Sequence, residues 1–129
     1  MQIIRITDLH TKPVFDTKAK QGLLEVTETF TFRYEYKGKI KYIYIPIGFR
    51  YNGASIPILR SDFSPRYLRA SLVHDWLCKL WKQQGDKFEY SVEEMSAIFG
   101  CILELDGNPK WKCELFEFAV YWYKSLKGS

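Results

Sequence analysis

Histidine is scarce in this chain: its 129 residues hold two, His10 and His74. Di-metal phosphohydrolases surround their ions with several imidazoles, so the shortage argues against that class. Cysteine is nearly as rare. Cys78, Cys101 and Cys113 form an odd set without CxxC spacing. Neither a disulfide framework nor a zinc cage is signalled, and all three are expected to be small buried apolar groups in a reducing compartment. No apolar run reaches membrane length, and Met1-Gln2-Ile3-Ile4-Arg5 lacks the charged-then-apolar order of an export signal. The expectation is cytoplasmic synthesis without export by the usual route. Repeats, low-complexity tracts and interdomain linkers are also missing, which points to one domain over residues 1–129. A formal net charge of +4 is no nucleic-acid footprint by itself.

Aromatic residues are abundant: nine Phe, nine Tyr and four Trp, 17% of the chain. Most are expected in a small core filled with large side chains. A minority of tyrosines is left for a contact surface, where a ring supplies apolar area and a polar handle together.

Periodicity divides the chain into a mainly β part, residues 1–50, and a mainly helical part, residues 64–127. From Glu28 to Tyr36 the residues alternate, with Phe30, Phe32, Tyr34 and Tyr36 on one face and Thr29, Thr31, Arg33 and Glu35 on the other. Lys37-Gly38-Lys39 supplies a turn, and Ile40 to Ile47 returns. A two-residue turn would set Phe32 against Ile43 and Phe30 against Ile45, leaving Tyr42 and Tyr44 on a face that could stay wet. Gln2 to Ile6 and Leu23 to Val26 offer further strands, separated by a polar stretch from His10 to Gly22. The second could simply continue into the long strand. Ser64-Pro65 reads as a cap and first turn for a helix whose stripe is Leu68, Leu72, Val73, Trp76, Leu77 and Leu80, ended by Gln83-Gln84-Gly85-Asp86. Ser91-Val92-Glu93-Glu94 is a capping box for a second helix with Met95, Ile98, Phe99 and Ile102 inward and Asp106-Gly107 as its stop. Asn108-Pro109 opens a third, with Trp111, Leu115, Phe118 and Trp122 along one side. The fold class expected is α+β: an antiparallel sheet packed against three C-terminal helices.

Two stretches carry candidate chemistry. Asn52-Gly53-Ala54-Ser55-Ile56-Pro57 is a polar loop leaving the hairpin, and His74-Asp75-Trp76 sets a histidine beside a carboxylate within a helix. Adjacent helical positions point about 100° apart, so His74 and Asp75 can border one cleft but share one ion poorly. No cofactor is expected, though a single divalent ion at His74 and Asp75 stays open. As catalysis, His74 would be a general base and Ser55 a nucleophile, yet no GxSxG elbow surrounds Ser55. As structure, His74 would hydrogen-bond backbone of the 52–57 loop and clasp it, and this reading is preferred. As binding elements, Asn52 and Ser55 would line the mouth of a small polar pocket, and Arg60, Arg66 and Arg69 could meet a carboxylate or phosphate. Tyr42 and Tyr44 with the hairpin lysines resemble a stacking surface. Arginines paired with Asp62 and an ordinary solvated hairpin are the preferred readings.

Ile45-Pro46-Ile47-Gly48-Phe49, Asn52 to Pro57, and Leu68 through Ala70 to His74-Asp75-Trp76 together resemble an uncharacterised bacteriophage and prophage protein family. The resemblance covers about residues 40 to 125 and implies a phage context, not a reaction. Asn52 stands where that family usually has an aspartate, and Ser96 where a later helix carries another. Loss of two acids turns the expectation from a small hydrolase toward a binding protein. The partner would be a protein of phage or host, with nucleic acid and membrane not expected. The setting would be the host cytoplasm or the virion.

Overall fold

A computed structural model describes residues 1–18, 21–51, 65–111, 113, 114 and 117. Its contacts fall into two compact units, Gln2–Asn52 and Gly53–Ser129. The first holds six antiparallel strands: β1 (Gln2–Ile6), β2 (Thr11–Asp16), β3 (Gln21–Val26), β4 (Phe30–Tyr36), β5 (Lys39–Ile45) and β6 (Arg50–Tyr51). They form not the one expected sheet but two three-stranded sheets, ordered β1-β4-β5 and β2-β3-β6.

The β4–β5 hairpin follows the predicted pairing, with Phe30 opposite Ile45 and Phe32 opposite Ile43. Its two-residue turn takes Lys37 and Gly38 at φ 50° and 77°. Positive φ at both central positions gives the mirror-image turn whose twist matches paired strands. Phe30, Phe32, Tyr34, Ile43 and Ile45 are buried, and the rings of Phe32 and Tyr34 stack at 5.0 Å. Burial of each such side chain contributes about 1.5–3 kcal/mol. Pro46 to Phe49 then makes a turn closed by a 3.3 Å bond from the Phe49 amide to the Pro46 carbonyl. Gly48 supplies its positive φ of 95°.

The polar stretch from His10 to Gly22, expected only to separate two strands, contains β2. Pro13 sits within that strand, which its place at the edge of the sheet allows, since an edge residue needs no ladder donor on its solvent side. Nor does β3 run on into β4; Thr27 to Thr29 separate them. Across the second sheet, Lys12 and Arg50 flank Glu25 at 3.3 and 2.8 Å. The Arg50 hydrogen bond, with help from Lys12, holds the Glu25 carboxyl below its usual range against some desolvation. A depressed folded-state pKa gives stability that is present above the ordinary carboxylate range and lost as pH falls through the lowered value. Glu25→Gln should therefore melt below the parent at pH 6, and the gap should close on acidification below about pH 4. A pH-independent gap would assign the loss to packing instead.

In the second unit, α1 (Pro65–Gln84) and α2 (Val92–Leu105) start and stop near the predicted signals. Gln84 leads into a short 3-10 turn, Gly85–Lys87. The Ser91 hydroxyl accepts from the Glu94 amide at 3.0 Å, and Met95, Ile98, Phe99 and Ile102 are buried as expected. At the far end Gly107 has φ 94°, while its amide and that of Asn108 bond back to the Glu104 and Leu103 carbonyls. That is the Schellman stop.

The described residues hold two α-helices, not the three expected; of the stretch expected to form the third, Lys110, Trp111, Cys113, Glu114 and Glu117 have helical backbone. Leu115, Phe118 and Trp122 lie outside the described residues. Trp111 is 67% exposed, not inward. Among the described residues no helix is long and apolar enough to cross a membrane.

Candidate functional site

Ala70, Ser71, Leu72, Val73 and His74 are all buried in succession. A helix buried over five consecutive positions is enclosed on every side there, so its amphipathic period is lost locally. His74 ends this run at 4% exposure. From α2 the Phe99 ring meets the imidazole edge-on, centroids 5.8 Å apart at 61°. One turn further along α1, the Cys78 sulfur lies 3.5 Å from His74 Nε2. The i, i+4 spacing of His74 and Cys78 is the sequence signal for this contact. None of the three cysteines is in a disulfide. Cys78 and Cys101 are half-buried rather than fully so, and burial pushes the Cys101 and Cys113 thiols up.

Asp75 is half-buried beside His74. The next turn carries Lys79, whose ammonium lies 5.5 Å from the Trp76 ring centroid. Ser96 sits where the family resemblance expects an acid; it is buried, and its hydroxyl donates to the Val92 carbonyl at 2.9 Å. Among the described residues no three His, Cys, Asp or Glu side chains gather as a metal ion would require. His10, the second histidine, lies in the other unit against Glu28 at 3.4 Å. Asn52 and Ser55 lie outside the described residues, as do the loop they belong to and the clasp expected between it and His74.

Arg69 is no free anion ligand. Its guanidinium grips the Asp106 carboxylate, with Nε 3.2 and 3.1 Å from the two oxygens and a terminal nitrogen on Oδ1 as well. Beside it the buried Asn108 amide donates to the Arg66 and Leu103 carbonyls at 3.0 and 2.9 Å. Asn108 thus ties the start of α1 to the end of α2. The Arg66 side chain is exposed.

The hairpin tyrosines are where the alternation put them. Tyr42 and Tyr44 are 64% and 61% exposed, and Ile40 on the same side of β5 is 51% exposed. Arg33, opposite Tyr42 in the register, lies under that ring at 5.3 Å from its centroid. Glu35 faces Ile40. The result is an open sheet face of two tyrosines, an isoleucine and a guanidinium. Such a face offers contact area and charge to a partner.

Comparison with known proteins finds a family model, described as a protein of unknown function (DUF1353), matching residues 25–120. An uncharacterized protein of Sinorhizobium fredii, y4jT, is 29% identical over 89 residues. That alignment covers 65% of this chain and 23% of the relative, so this chain spans under a quarter of that protein's length. No solved structure matches.

Proposed function

We propose that this chain, which belongs to the DUF1353 family of proteins of unknown function, acts by binding a protein through the outward face of β4 and β5. The observation that carries this reading is the exposure of Tyr42 and Tyr44, 64% and 61%, side by side on one strand. Tyr and Arg are enriched where interfaces hold most of their energy, and truncating such a ring typically costs more than 1 kcal/mol of binding. The motif resemblance adds a bacteriophage or prophage setting, with the host cytoplasm or virion as location and a phage or host protein as partner.

The test is retrieval from lysates of phage-bearing cells by the parent and by Tyr42→Ala/Tyr44→Ala. The double variant should melt within about 1 kcal/mol of the parent, since exposed substitutions rarely do more, yet lose the partner. Identical captures, or none by either protein, would defeat the proposal.

A second reading is a small hydrolase using His74 and Asp75 with Asn52 and Ser55; what supports it is a buried imidazole with a half-buried carboxylate next to it on α1. Turnover of ester, phosphodiester or peptidoglycan substrates that disappears in His74→Gln would put it first.

A further inference from the structure

The exposed sheet face has an uncompensated charge at its centre. Arg5 on β1 is the register partner of Arg33 on β4, immediately after an irregularity between Ile3 and Arg5. Like charges directly opposite each other on one sheet face are destabilising. Among the described residues no carboxylate pairs with either guanidinium, and Arg33 Nε is buried without an acceptor. An unmet charged donor in such a place costs free energy that an incoming acceptor would recover.

Charge is concentrated here more widely. The first sheet and its hairpin turn carry Arg5, Arg33, Lys37, Lys39 and Lys41 against Glu35 alone, which equals the formal +4 of the whole chain. The mild excess of the sequence is therefore a local one.

Resting on the binding reading above, we infer that the partner presents an acidic side chain to the Arg5–Arg33 pair, with apolar neighbours seated on Tyr42, Tyr44 and Ile40. A carboxylate matches two adjacent guanidiniums in charge and in planar, bidentate geometry. Two features favour an acidic protein over a nucleic acid. Glu35 stands on the same face, where it would repel a continuous polyanion. The exposed Ile40 beside it suits an aliphatic contact, whereas single-strand binding relies on stacking and backbone charge.

The experiment pans a random displayed peptide library against the parent chain, with counter-selection on Tyr42→Ala/Tyr44→Ala. Enriched peptides should carry Asp or Glu beside an aromatic or aliphatic residue. Arg33→Gln and Arg5→Gln should each weaken the best peptide by about tenfold or more, as should its own acid-to-amide change. The acid-to-amide change should matter little once Arg33 is gone. Melting temperatures of the arginine variants should not fall, because a like-charge pair is relieved. Peptides that need both tyrosines but carry no acid would overturn this inference and leave the binding reading standing. Enrichment indifferent to the tyrosines, or none at all, would overturn both. Arginine-dependent binding of a fluorescent single-stranded oligothymidylate, without acidic peptides, would replace the acidic protein by a nucleic acid.

Discussion

Phe99→Ala is expected to destabilise the protein by about 3–5 kcal/mol, read from the midpoint of urea unfolding. Phe99 is 1% exposed, and its helical neighbours Met95, Ile98 and Ile102 are equally buried. A large ring removed from such a setting costs its transfer free energy and leaves a void that packed neighbours collapse into only partly. One wall of that void is the His74 imidazole, 5.8 Å from the lost ring. His74→Ala should cost less, about 1–3 kcal/mol. The informative quantity is the double variant. If His74 serves mainly to pack edge-on against Phe99, the two losses overlap by about 0.5–1.5 kcal/mol. Strict additivity would detach the histidine from this contact and require a chemical reason for its presence, favouring the hydrolase reading.

How much of this was legible beforehand depends on the range of the interaction. Alternation along β4, with Lys37-Gly38 able to take positive φ, determined both the hairpin register and which tyrosines face water. Ser91 and Asp106-Gly107 marked the ends of α2 through local bonds. Each of these signals lies within a few residues of its effect. By contrast, β2 is an edge strand with exposed Phe15 and an internal proline, so neither hydrophobic content nor an unbroken strand pattern announced it. The split into two sheets depends on β1 pairing with β4 and β3 with β6, choices that no local period encodes. Burial all round α1 at Ala70 to His74 was equally hidden, because a serine and a histidine break the apolar run. At the candidate surface, Tyr42 and Tyr44 were readable, and Arg33 followed from the register. The Arg5–Arg33 opposition was not, since it requires knowing which strand lies on the far side of β4.

Arg69 illustrates the same limit with a large energetic consequence. Read alone, an arginine near a polar loop suggests an anion ligand; in the fold it is committed to Asp106, the residue that ends α2. Their side chains retain 18% and 10% of their exposure. Removing one partner from a buried, bidentate pair strands the other, which typically costs 3–5 kcal/mol; residual hydration here reduces the expectation to about 2–4 kcal/mol for Asp106→Ala. Arg69→Met should cost about as much: the apolar side chain keeps the packing of the stem, but the Asp106 carboxylate, the more buried of the two, is left without its cation. Changing both residues should recover part of the loss, since no unpaired charge then remains. Asn108→Ala should add about 1–3 kcal/mol separately by leaving the Arg66 and Leu103 carbonyls with one donor fewer. Chemical denaturation of the single variants and the Arg69/Asp106 double variant measures each quantity. Single losses under about 1 kcal/mol would mean that water satisfies the pair as well as the protein does, returning Arg69 to the residues available for binding.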